Sequence, residues 1–115
     1  MTIRILITDD HQLFREGIAN LLSSSPQIEI VGQAENGQEA IEKARNLKPD
    51  IVMMDLSLPV INGVDATRIL HKEMPETKVL VLSMHDDKNY IKEALESMRG
   101  LQTGYHIHKV RIWPC

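Results

Sequence analysis

The chain has 115 residues, 43% of them hydrophobic, enough for one domain around one sizeable core and too few for a second. A formal net charge of −3, with Lys and Arg scattered along the chain, argues against a nucleic-acid backbone as the direct partner. No apolar run is long enough to span a bilayer, Arg4, Asp9 and Asp10 interrupt the amino end where a signal peptide needs an apolar stretch, and the single cysteine, Cys115, excludes a disulfide framework, so a cytoplasmic location is expected.

Short apolar runs alternate with helical periodicity, the pattern of βα units feeding a parallel sheet. Residues 3–8 read as a buried strand. Leu13, Phe14, Ile18, Leu21 and Leu22 then recur at helical spacing until Ser23-Ser24-Ser25-Pro26 ends the helix. A second strand is expected over roughly 29–34. Asn36 follows as a helix cap with Glu39 three residues on, and Ala40, Ile41, Ala44 and Leu47 form an apolar stripe that Pro49 closes. The uninterrupted Ile51-Val52-Met53-Met54 predicts a central strand buried on both faces. A loop over residues 56–63 comes next, with Asn62-Gly63 as its turn signal, before a helix carrying Ala66, Ile69 and Leu70. A fourth strand over residues 79–82 ends at Ser83, and Ile91, Ala94, Leu95 and Met98 mark the helix after it. Beyond it, residues 100–104 read as loop and residues 105–113 as an irregular fifth strand with apolar residues on both phases.

The acids stand at the ends of these strands. Asp9 and Asp10 follow the first strand and Asp55 follows the third, and in an open parallel sheet the carboxyl edge is where ligands bind. Clustered carboxylates repel one another, so the arrangement calls for a cation. Mg2+ needs only one or two carboxylates and keeps several waters, which Asp10 and Asp55 can supply directly while Asp9 acts through water. Phosphoryl transfer fits such a site, with Asp55, alone at a central strand end, as the nucleophile and the Ser83 hydroxyl within reach of a phosphoryl oxygen. His11 and His85 flank this edge and are read as solvent-facing residues that affect only local charge. His106 and His108 fall on one face of the last strand, but two histidines alone make a poor zinc site.

Two segments, Asp9-Asp10-His11-Gln12-Leu13-Phe14-Arg15-Glu16-Gly17 and Asp55-Leu56-Ser57-Leu58-Pro59-Val60-Ile61-Asn62-Gly63, closely resemble the receiver domain of two-component response regulators, in wording most like the NarL/FixJ group. Lys92-Glu93-Ala94-Leu95-Glu96-Ser97 also matches, so the resemblance runs over residues 2–97. It implies an α/β, flavodoxin-like (CheY-like) fold with strand order 2-1-3-4-5. It further implies Asp55 as phosphoacceptor, Asp9 and Asp10 as the acidic pair that binds Mg2+, Ser57 as the source of a metal-binding main-chain carbonyl and Ser83 as the switch hydroxyl. The phosphodonor implied is a phosphohistidine on a sensor histidine kinase. Residues 1–97 then form the receiver core and residues 98–115 a divergent tail.

In that tail the wording departs from the family. The expected lysine falls by counting on Tyr105, and Lys109 takes its role only through a one-residue slip or a bulge. A slipped reading frame after Ser97 is one explanation; another frame of the coding DNA should then contain Gly-Tyr-x-x-Lys. The final helix of the fold is expected to be missing, and the apolar face it would leave predicts a dimer or strand-exchanged oligomer. With no helix-turn-helix segment in the sequence, direct DNA binding is not expected. The competing function is a pseudo-receiver, an interaction module that is never phosphorylated. A haloacid-type phosphatase is set aside because Ser57 stands where its second Asp would be.

Overall fold

A computed structural model of the chain describes residues 2–55 and 58–82. Its elements run β1 (Ile3–Thr8), α1 (Gln12–Ser23), β2 (Ile28–Ala34), α2 (Gly37–Leu47), β3 (Ile51–Asp55), α3 (Gly63–Glu73) and β4 (Lys78–Leu82). The strands form one parallel sheet in the order β2-β1-β3-β4, matching the first four positions of the expected order. The fifth strand, the helix expected after Ser83 and the tail lie outside the described residues. No helix among the described residues is long and apolar enough to cross a membrane.

Period-two alternation in the strands divides the core between the two faces of the sheet. Ile5, Ile7, Ile51, Met53 and Leu80 pack with Ile18 and Leu22 of α1 on one face. Leu6, Val52, Met54 and Val79 pack on the other, against Ala40, Ile41 and Ala44 of α2 and Ala66 and Leu70 of α3. All five residues of β3 are buried, as a central strand paired on both sides must be. Burial of each such aliphatic side chain contributes roughly 1.5–3 kcal/mol before chain entropy is set against it. Leu13 departs from the predicted stripe: it sits in the first turn of α1 and is 83% exposed.

Helix ends follow local chemistry. The Asn36 side chain accepts a hydrogen bond from the Glu39 amide at 2.8 Å, and the Asn62 side chain accepts one from Asp65 at 2.9 Å, capping α2 and α3. Asn62-Gly63 therefore opens α3 as cap and first helical residue. The chain reversal comes earlier, at Val60, whose φ of 69° is unusual for a β-branched residue. In β2 the pairing with β1 passes from Ile5–Ile30 to Leu6–Gly32, so Val31 is an extra residue that bulges the strand.

Arg45 of α2 donates from Nε and one terminal nitrogen to the two carboxylate oxygens of Glu73 of α3, each at 2.7 Å. These hydrogen bonds, aided by the charge of Arg45, hold the Glu73 carboxyl below its usual pKa of 4.5. A carboxyl depressed in the folded state stabilises the fold above its unfolded pKa and ceases to do so as pH falls through the folded one. Glu73→Gln should therefore lower stability near neutrality and be indistinguishable from wild type in strong acid, as urea unfolding at the two pH values would report.

Candidate functional site

Parallel pairing brings all the strand ends to one edge. Thr8 pairs with Met54, so the next residues, Asp9 and Asp55, leave neighbouring strands side by side. The Asp9 amide is tied to the Ala34 carbonyl of β2 at 3.1 Å, which fixes where the chain turns off the sheet. Asp9 and Asp55 are buried, at 4% and 3% exposure, whereas Asp10 is exposed. One ligand atom from each of Asp9, Asp10, His11 and Asp55 falls within 4.8 Å of the others. The sequence-predicted acids are thus brought together. Ser57, Ser83 and Lys109 lie outside the described residues.

Arg15 clamps the base of this cluster from α1. Its guanidinium donates to the Asp9 carbonyl at 2.6 Å and to the Gln33 side-chain oxygen at 3.1 Å, joining α1 to β2 beneath the acids. His11 contributes more than local charge. Its amide donates to Asp9 Oδ1 at 2.8 Å, and its Nδ1 stands 3.0 Å from that oxygen and 2.9 Å from Asp10 Oδ1. The hydrogen bond with Asp9, then the charge of Asp10, raise the His11 pKa above 6.5. Protonated, the imidazolium offsets part of the carboxylate repulsion. The only sequence signal for this role was adjacency to the acid pair at the start of a helix.

Two carboxylates 4.8 Å apart repel by about 3–4 kcal/mol at an effective dielectric of about 20. Hard oxygen donors at this spacing, two of them buried, are the donor set Mg2+ takes. Asp9, Asp10 and Asp55 fit that ion.

The loop after Asp55 is anchored from three sides. Leu58 is buried in the core, Asn62 caps α3, and Ile61 lies against the start of α2. The last contact requires Gly37: a Cβ there would lie 1.9 Å from the Ile61 carbonyl oxygen. On the strand side, Thr8 Oγ1 is buried with no hydrogen-bond partner among the described residues. An unsatisfied buried hydroxyl is costly, so Thr8→Val should raise stability by about 1–2 kcal/mol in urea unfolding.

Among the described residues a parallel sheet in the order 2-1-3-4, with acids at the ends of β1 and β3 gathered at its carboxyl edge, is the framework of a receiver. Residues 5–103 match the model of the response regulator receiver domain, and the chain belongs to that family. It is 46% identical over 95 residues to the transcriptional regulatory protein DegU of Brevibacillus brevis, covering 83% of this chain and 40% of that protein. With LnrK of Bacillus subtilis it shares 48% identity over 94 residues, covering 82% of this chain and 43% of that protein. The signal receiver domain of NarL from Mycobacterium tuberculosis superposes with a TM-score of 0.69 at 30% identity, covering 92% of this chain and 83% of that one. The solved structures it resembles include a two-component response regulator of the LuxR family from Aurantimonas sp., and the chain spans less than half the length of the curated relatives it matches. Its class is the receiver of two-component signal transduction.

Proposed function

We propose that the chain accepts a phosphoryl group on Asp55 from the phosphohistidine of a sensor histidine kinase in the cytoplasm, and that this switches a protein-interaction surface. The observation that supports the reading is the burial of the Asp55 carboxylate at the end of the central strand, within 4.8 Å of ligand atoms of Asp9 and Asp10. Asp9 and Asp10, with Asp55 and the Ser57 carbonyl, would hold Mg2+, which when bound supplies positive charge to the phosphoryl oxygens. A carboxylate oxygen of Asp55 forms the new O–P bond as the donor's N–P bond breaks, and the departing imidazole takes its proton from solvent. The Ser83 hydroxyl donates to a phosphoryl oxygen, and Lys109 is the candidate for its cationic partner. The chain is the acceptor in this reaction, with no turnover on a separate substrate.

Incubation with Mg2+ and acetyl phosphate, followed by intact mass, tests this. One phosphoryl adduct is expected, absent when the metal is chelated. An unmodified mass in the presence of Mg2+ would overturn the reading and favour the pseudo-receiver.

A further inference from the structure

Arg15 stands outside the acids yet holds the stretch of chain that carries two of them. We propose that Arg15 is a positioning residue for phosphoryl transfer: from α1 it fixes the peptide between Asp9 and Asp10, and through that peptide it aims the Asp10 carboxylate into the cluster with Asp55. The inference rests on the phosphoacceptor reading above. Asp9 is held at both ends of its main chain. Its amide donates to the Ala34 carbonyl at 3.1 Å, and its carbonyl accepts from Arg15 Nη1 at 2.6 Å. Asp10 is exposed, and among the described residues its carboxylate is tied only to the neighbouring His11. Its direction is therefore inherited from the peptide plane that precedes it. A plane whose carbonyl is bound by a charged donor cannot rotate without losing a charge-assisted hydrogen bond.

The extra residue in β2 is what lets Arg15 take this position. Ile28 and Ile30 face α1, and strict alternation would turn Gln33 to the opposite side. The bulge at Val31 reverses the parity. Gln33 now pairs with Ile7 on the α1 face, while Ala34 pairs with Thr8 and packs on the other. The Gln33 side-chain oxygen accepts from Arg15 Nε at 3.1 Å, so the planar fork is fixed at one nitrogen while another meets the Asp9 carbonyl. The Gln33 carbonyl in turn accepts from Lys43 of α2, which anchors this end of β2.

The test is the rate of adduct formation on the full chain with acetyl phosphate, followed by intact mass at saturating Mg2+, which separates the rate from any change in metal affinity. Arg15→Met keeps an unbranched apolar stem without the donors and should slow the reaction about tenfold. Arg15→Lys keeps a cationic donor for the Asp9 carbonyl and should recover the rate to within about threefold of wild type. Gln33→Leu should slow wild type about threefold and add nothing in the Arg15→Met background, because its oxygen acts only through the guanidinium. Lost packing alone would lower the urea midpoint without separating Lys from Met in rate. A wild-type rate in folded Arg15→Met, equal losses in Met and Lys, or an additive effect of Gln33→Leu overturns the assignment of Arg15. Should Arg15→Met not fold, a wild-type rate in Gln33→Leu overturns it and a slowed rate that Arg15→Lys does not worsen supports it. Absence of an adduct on wild type overturns the phosphoacceptor reading itself, whereas an adduct on wild type with unaffected variants removes only Arg15.

Discussion

Asp55→Asn is expected to remove the phosphoryl adduct completely while making the metal-free protein more stable. The two effects have one origin. Asp55 is almost fully buried within 4.8 Å of ligand atoms of two other carboxylates, and its repulsion with each neighbour is of the order of 3–4 kcal/mol at an effective dielectric of about 20. Partial compensation by His11 and exposure of Asp10 reduce the net cost, so the amide should raise the unfolding free energy by about 1–3 kcal/mol. The same substitution removes the nucleophilic oxygen and an anionic ligand. Added Mg2+ stabilises wild type by about 2.7 kcal/mol at a hundredfold excess over its Kd, and this increment should shrink sharply in the variant. Urea unfolding with and without Mg2+, beside intact mass after acetyl phosphate, reports all of it. A variant less stable than wild type without metal would show that repulsion does not dominate the site.

Gly37→Ala is expected to damage fold and site together. The added methyl meets a main-chain carbonyl, that of Ile61, at 1.9 Å, and no rotamer change relieves a backbone clash. Either α2 moves off the sheet or the loop between Asp55 and α3 is displaced. Overpacking of this kind costs about 1–3 kcal/mol, more than the 0.5–1 kcal/mol that Ala gains over Gly from helix propensity. The urea midpoint should fall with an unchanged slope, and the rate of adduct formation should fall further than that of an equally destabilised core variant, because the displaced loop follows Asp55 directly. Equal or greater stability in the Ala variant would remove this contact as a determinant of the loop.

Much of the architecture could be read in advance because it depends on local patterns. The unbroken Ile51-Val52-Met53-Met54 announced a strand covered on both faces, and the positions of Asp9, Asp10 and Asp55 at strand ends placed them on one edge once the sheet was taken as parallel. Asn36 caps its helix as the sequence suggests. What escaped prediction depends on contacts distant in sequence or on backbone detail. Gly37 is required by Ile61, twenty-four residues away, and nothing near Gly37 announces it. Asn62-Gly63 carries turn chemistry, yet the positive φ falls on Val60, because Asn62 is engaged as a cap and Leu58 is held in the core. Leu13 fits the apolar stripe by spacing but lies in the first turn, beyond the reach of the sheet. His11 was underread because its importance lies in which oxygens its ring meets.

The additional residue in β2 bears on how copies of this chain meet. Among the described residues β2 borders the sheet, and a border strand with a regular run of amides and carbonyls invites a second molecule to extend it. At Val31 that rhythm is interrupted, and the local twist turns the flanking groups away from a straight partner. An incoming strand would find its bonding groups in step on one side of Val31 and out of step on the other. Sheet-to-sheet aggregation through this border is thereby discouraged.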